Sequence, residues 1–392
     1  MLTDLNIIGP KRPITWVLEF WPVLLGSLVA ALAATALCKR IALKYGIVDK
    51  PDDTVKTHKE PIAYLGGIGM LVGLIVGVLT GIATLKGEQF SRIFQLLIAI
   101  LAGGAIACFV GLTDDIFSLK PWQKILGQAA AAIVLIFIGI VPNIKEIADF
   151  LHLPLPTALE PVIQAGIVII FVLGATNSLN LLDGLDGLCA GATAIITLAM
   201  LILATHLATW GFSEVGDPAR IILCLGLVGG VCGFLPFNRH PAKIFMGDAG
   251  SMLLGFMVAA LMMLFAESIP RWWMAAVVVF GLPILDTATA LVRRLLNKRP
   301  LFVSDRGHIY DQMIDRGIGL NKTVVICYLL TAFYAVFGVV MGVTTKIRTV
   351  YAFFIYAALF ILSGLIIWKK GYLKMEGLRG KMPQKNQHPQ QS

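Results

Sequence analysis

The chain has 392 residues, 57% of them hydrophobic and only 14% charged, with a mean hydropathy of +0.83 and a formal net charge of +9 at pH 7. Soluble domains average about 45–50% apolar and about 25% charged residues, so an ordinary soluble enzyme is excluded. Apolar runs of about twenty residues recur along the whole length, and each is long enough to cross a bilayer as a helix. The expected fold is therefore all-α: a polytopic integral membrane protein with about eleven transmembrane helices.

In chain order the predicted spans are 16–37, 62–85, 93–113, 123–142, 162–182, 187–207, 221–237, 249–267, 272–292, 324–344 and 350–368. The first follows Lys11 and Arg12 and could pass for a signal peptide. Its length and the six basic residues after it favour a retained helix. Residues 1–368 then form one transmembrane domain, and 369–392 a basic tail expected to be disordered. The loops after odd-numbered spans, with that tail, carry 23 of the 32 Lys and Arg. By the positive-inside rule those loops are cytoplasmic, which puts the N-terminus outside and the C-terminus in the cytoplasm. The same placement argues against nucleic acid as the reason for the positive charge. The six Cys lie in or beside apolar runs without metal-like spacing and read as packing residues.

Carboxylates at membrane depth are costly and tend to be functional. Here they gather on the expected cytoplasmic side. Asp114 and Asp115 end the third span, where two adjacent acids raise each other's pKa unless a cation shares them; two acids can also merely end a span. Lys120 and Lys124 follow within reach. Between the fifth and sixth spans, Asn177, Asn180, Asp183 and Asp186 recur every third residue. They can line one side of a helix end and turn, as a polar cap or as oxygen donors suited to a hard cation such as magnesium. Asp248 begins the eighth span, as an N-cap or as a metal ligand beside phosphate. In the longest loop, Ser304-Asp305-Arg306-Gly307-His308 offers donors for pyrophosphate or sugar oxygens. The loop after the first span adds Lys56, His58 and Lys59, then Gly66, Gly67 and Gly69. Asp286, inside the ninth span, is expected to make an internal polar contact with Thr287 or Arg293, or to support the site from behind.

Five blocks in this order, Thr57-His58 through Gly66-Gly67, Asp114-Asp115 with Lys124, Asn177 through Gly187, Phe245-Met-Gly-Asp248-Ala-Gly-Ser and Ser304-Asp-Arg-Gly-His308-Ile, carry a family likeness. The chain resembles the polyprenyl-phosphate N-acetylhexosamine-1-phosphate transferases over nearly its whole length. The resemblance implies attack of a lipid phosphate on a UDP-N-acetylhexosamine with release of UMP, at the cytoplasmic face of a bacterial plasma membrane. It further implies magnesium, with manganese as a substitute, held by Asn180 and Asp248. Asp114, Asp115 and Lys124 would be catalytic, and Asp183, Asp186, Arg306, His308, Asn177 and Lys59 would bind substrate. The implied partners are the UDP-sugar, undecaprenyl phosphate and membrane lipid, with no nucleic acid and with a homodimer left open.

One departure bears on the donor. Many bacterial members continue His-Ile-His-His, whereas this chain has His308-Ile309-Tyr310-Asp311, and the three-His run of the muramyl-pentapeptide branch is absent. UDP-N-acetylglucosamine is therefore favoured, with the muramyl-pentapeptide donor as the alternative. An ion-coupled transporter is the main rival from another class. Transporters, however, carry their charges near the bilayer midplane, whereas these acids sit at span ends. A scaffold without activity would leave the Asp array unexplained.

Overall fold

The computed structural model describes residues 12–49, 61–85, 90–150, 154–211, 213, 215–267, 270–298, 307–344 and 348–373. These form fourteen helices and one two-stranded hairpin. The long apolar helices are α1 (Pro13–Tyr45), α2 (Gly66–Thr84), α3 (Phe90–Phe117), α6 (Glu160–Leu182), α7 (Leu188–Ala208), α8 (Gly216–Asn238), α9 (Gly247–Ala266), α13 (Leu320–Val343) and α14 (Thr349–Lys369). Shorter ones are α4 (Pro121–Phe137), α5 (Ile144–Phe150), α10 (Pro270–Val279), α11 (Gly281–Leu296) and α12 (Ile309–Asp315). The hairpin pairs β1 (Val48–Asp49) with β2 (Ile62–Ala63).

Helix α9 is the axle of the bundle, buried along its whole apolar length and packed by α2, α3 and α6. Between apolar helices in lipid, close van der Waals packing replaces the hydrophobic effect as the cohesive force, so small residues collect at the contacts. Near the start of α9 that contact is closest. A Cβ on Gly111 of α3 would fall on the Asp248 carbonyl, and one on Gly67 of α2 would fall on the Gly250 amide. The chain entering α9 is also tied sideways. Phe245 donates its N–H to the Ala63 carbonyl at 2.8 Å, while Gly66 and Gly67 donate to Phe245 and Met246 at 2.9 and 3.0 Å.

Two of the expected spans differ from a simple crossing. Among the described residues nine helices are long and apolar enough to span, or ten if α10 and α11 count as one broken span bent by 69°. The eleventh, α4, has 17 residues, about 26 Å of helix against a hydrocarbon core of about 30 Å. The break in the ninth span follows from Gly281-Leu-Pro283. Proline has no N–H for the preceding turn and suits a helix start, and the ring of Tyr334 occupies the place a Cβ on Gly281 would need.

Away from the carboxylates, Arg220 of α8 is fully buried. It pairs with the equally buried Asp217 and donates to the Leu264 carbonyl near the end of α9 at 2.6 Å. From the sequence Asp217 looks like an ordinary loop acid. Its burial and pairing come from the arginine three residues on, which gives both charges a partner and caps α9.

Candidate active site

Four helix ends meet at one end of the bundle. Asp114 and Asp115 lie in the last turn of α3, Lys124 in the first turn of α4, Asn180 in the last turn of α6 and Asp248 in the first turn of α9. The Lys124 ammonium forms ion pairs with Asp114 and with Asp248, the latter at 2.7 Å. The other Asp248 oxygen accepts a hydrogen bond from the Asn180 amide at 2.7 Å, and that amide also donates to Ser251 Oγ at 3.0 Å.

The adjacent acids divide two tasks. Asp114 faces Lys124 with one oxygen and accepts the Leu119 N–H at 2.7 Å with the other, which fixes the turn into α4. Asp115 accepts the N–H groups of Asp248 and Ala249 at 2.8 and 3.1 Å, and so caps α9. Those amides have no partner inside the helix, and a carboxylate there also meets the positive end of the helix dipole. Gly247 enters α9 with φ +68°, a left-handed conformation, and a Cβ there would strike the Asp115 carboxylate.

Asp183 leaves the end of α6 toward the same cluster. Its pKa is raised well above the ordinary carboxylate range, first by burial and then by the charges of Asp248, Asp115 and Asp186. Asp186 engages the loop after α8, where it meets His240 Nδ1 at 2.7 Å and accepts the Ala242 N–H at 3.0 Å. Asn177, one turn deeper on α6, donates to Gln128 Oε1 at 3.1 Å and to the Leu173 carbonyl at 2.7 Å. Lys59 and Arg306 lie outside the described residues, as do Lys56, His58, Ser304 and Asp305.

His308 stands at the N-cap of α12, buried, with Nδ1 2.7 Å from Asp286 Oδ2. The second Asp286 oxygen accepts the Ile309 N–H, also at 2.7 Å. Asp286 thus reaches the loop histidine. Thr287 instead donates to Ser178 at 2.8 Å, and Arg293 donates to the Gly307 carbonyl. No spacing rule could have paired Asp286 with His308, because the partners belong to different elements joined by a long loop. Ser251 and His240 were equally hidden. The only available signal was Ser251's position one turn after Asp248.

Among the described residues no group of three or more His, Cys, Asp or Glu is arranged to hold a metal. The donor set at the cluster is nonetheless that of a hard cation. Asp114 and Asp248 already share one positive charge, that of Lys124. The Asn180 amide, which can present oxygen as readily as nitrogen, completes a set of oxygen ligands that fits magnesium or manganese rather than a soft metal.

The chain is similar to one protein family and to several curated proteins. The family described as glycosyl transferase family 4 matches residues 97–266, which contain the whole cluster. The chain is 31% identical over 366 residues to a probable undecaprenyl-phosphate N-acetylglucosaminyl 1-phosphate transferase of Bacillus subtilis, covering 90% of each. It is 31% identical over 316 residues to the decaprenyl-phosphate N-acetylglucosaminephosphotransferase of Mycobacterium tuberculosis, covering 76% of each. A phospho-N-acetylmuramoyl-pentapeptide-transferase of Geobacillus thermodenitrificans is 29% identical over 293 residues, 71% of this chain and 83% of the relative.

Proposed function

Since the chain belongs to glycosyl transferase family 4, we propose that it transfers N-acetylglucosamine 1-phosphate from UDP-N-acetylglucosamine to undecaprenyl phosphate, releasing UMP. The observation that carries this reading is the Lys124 ammonium held between Asp114 and Asp248 at the start of α9. That is a cationic anchor for phosphate ringed by ligands for a second cation, at the end of a bundle of apolar helices. The match with the two N-acetylglucosamine-phosphate transferases, over more of this chain than the muramyl-pentapeptide one, favours the donor.

An oxygen of the lipid phosphate attacks the phosphorus that bears the sugar. The bond from that phosphorus to the bridging oxygen breaks, and UMP leaves with the electron pair. A phosphate monoester has its second pKa near about 6, so the acceptor is largely a dianion at neutral pH and needs little help losing a proton. The obstacle is repulsion between two phosphate groups. Lys124 offsets it, and the start of α9, whose first amides Asp115 caps, adds a favourable dipole. Magnesium, held by Asp248, Asn180 and Asp114, would supply further charge neutralisation at the phosphate oxygens. The face is cytoplasmic on this reading, where the nucleotide sugar is available.

The test is direct. Purified protein in detergent, with magnesium and undecaprenyl phosphate, is given UDP-N-acetylglucosamine, UDP-N-acetylgalactosamine or UDP-MurNAc-pentapeptide in separate reactions, scored for UMP and lipid-linked sugar. Magnesium-dependent product from UDP-N-acetylglucosamine is expected. Product from the pentapeptide donor alone would transfer the assignment to that branch, and none from any donor in folded protein would overturn it.

A further inference from the structure

His308 is held from three sides. Asp286, 2% exposed in α11, contacts Nδ1 with one oxygen and the Ile309 N–H with the other, so its carboxylate is fixed at both ends. Asp311, on the first turn of α12, accepts the His308 N–H at 3.3 Å. Tyr310 stacks on the imidazole, ring centres 5.7 Å apart, and its hydroxyl donates to the Leu181 carbonyl at 2.9 Å. The tyrosine also fills the space over Gly184, where a Cβ would meet its ring. The ring of His308 is therefore clamped between α11 and the turn that carries Asp183.

An ionised carboxylate only accepts hydrogen bonds, so the proton facing Asp286 must sit on His308 Nδ1. With Nδ1 engaged by Asp286, Nε2 is the ring atom left for a ligand. We propose that Asp286 is a positioning residue: it fixes His308 with Nδ1 protonated and Nε2 free to meet the sugar-phosphate, and Tyr310 locks that orientation to the turn bearing Asp183. The inference rests on the transferase reading for what Nε2 meets, but not for the state of the ring. It also gives Tyr310 and Asp311 a use. They brace His308, one through its ring and one through its backbone.

Asp286→Asn tests it, because the isostere keeps an acceptor for Ile309 while its amide N–H turns toward the ring and moves the ring proton to Nε2. The groups acting on His308 are Asp286 and Arg293 from α11 and Asp311 from α12, with Tyr310 stacked beside it. In the wild type, burial favours the neutral ring, but Asp286 and Asp311 outweigh it and hold the pKa above the usual histidine value. Protein labelled with nitrogen-15 histidine has six such residues, and the His308 signals are those lost in His308→Ala.

Above its titration midpoint the wild type is expected to keep the single ring proton on Nδ1, and Asp286→Asn to carry it on Nε2 with a lowered midpoint. In the transfer assay Asp286→Asn should lower kcat by about 10–100-fold, as loss of an outer partner of a working imidazole does. It should change KM for the nucleotide sugar by less than about 3-fold. The double variant Asp286→Asn/His308→Ala should be no slower than His308→Ala alone, since Asp286 acts through that ring. A neutral wild-type ring with its single proton on Nε2, or losses in the two variants that multiply, would overturn the proposal. Should Asp286→Asn fail to fold, the wild-type spectrum still decides it. Should the wild type transfer no sugar, the functional reading falls while the nitrogen spectrum still judges the clamp.

Discussion

Asp114 and Asp115 are neighbours in sequence and do different things. One shares Lys124 with Asp248, and the other holds the amides that open α9. The pair as a unit was legible, because adjacent acids at a membrane helix end call for a cation. Which acid took which task depended on the direction of each carboxylate in the last turn of α3. Asp248→Asn should cut kcat by about 100-fold or more with little change in melting temperature, since it weakens a charged contact at the reacting phosphates. Asp115→Asn keeps one acceptor for α9 and should lose activity together with about 0.5–2 kcal/mol of stability, in the range of a lost cap. Thermal melts beside initial rates separate the two.

His308 adds a pH dependence. Its pKa in the folded protein lies above that of the unfolded chain, so the clamp's stabilisation is fully present below about pH 6.5. It is lost as the pH rises through the elevated native value. The melting temperature of the wild type should therefore fall, relative to Asp286→Asn, as the pH rises above about 6.5. Parallel slopes for the two proteins would show that the pair does not titrate as described.

Among the helices, α9 and the broken α10–α11 pair set the site. The apolar run over 249–267 announced a helix, but not that it would be surrounded on all sides, since a buried helix and a lipid-facing one have the same composition. Its glycine contacts make the difference. Gly111→Ala would press a methyl group on the Asp248 carbonyl, backbone that cannot swing aside. A cost of about 1–3 kcal/mol is expected, with a larger fractional loss of transfer than of stability because the displaced atom belongs to Asp248. Full activity in this variant would mean that α3 and α9 can separate without consequence for the site. The break at Gly281 to Pro283 brings α11 back toward the loop histidine. A straight ninth span would hold Asp286 in a different register from His308.

For the molecule as a whole, the charge distribution along the chain makes a topological claim that can be measured. Lys243 is exposed at the end carrying the carboxylates, whereas Glu146 is exposed on α5. A membrane-impermeant maleimide should label Glu146→Cys in intact cells and Lys243→Cys only after permeabilisation, as the positive-inside rule requires. The opposite pattern would put the site outside, away from cytoplasmic nucleotide sugar. The native cysteines interfere little, since five of the six are buried.

By itself the sequence determined the class of molecule, most of its long apolar helices, and the motif residues at which function should be sought. Each of these follows from local facts: the length of an apolar run, the spacing of Asn and Asp, the placement of Lys and Arg. Tertiary structure decided the partners. Lys124 meets Asp248 across 124 positions, Asn180 meets it across 68, and Asp286 meets His308 across 22. Such pairings depend on how helices cross and where they bend, and those in turn depend on which small residues let two backbones approach. Side-chain direction and interhelical distance have no signature at any fixed spacing, so only the folded chain could show that one lysine serves two aspartates and that a buried aspartate steadies a histidine.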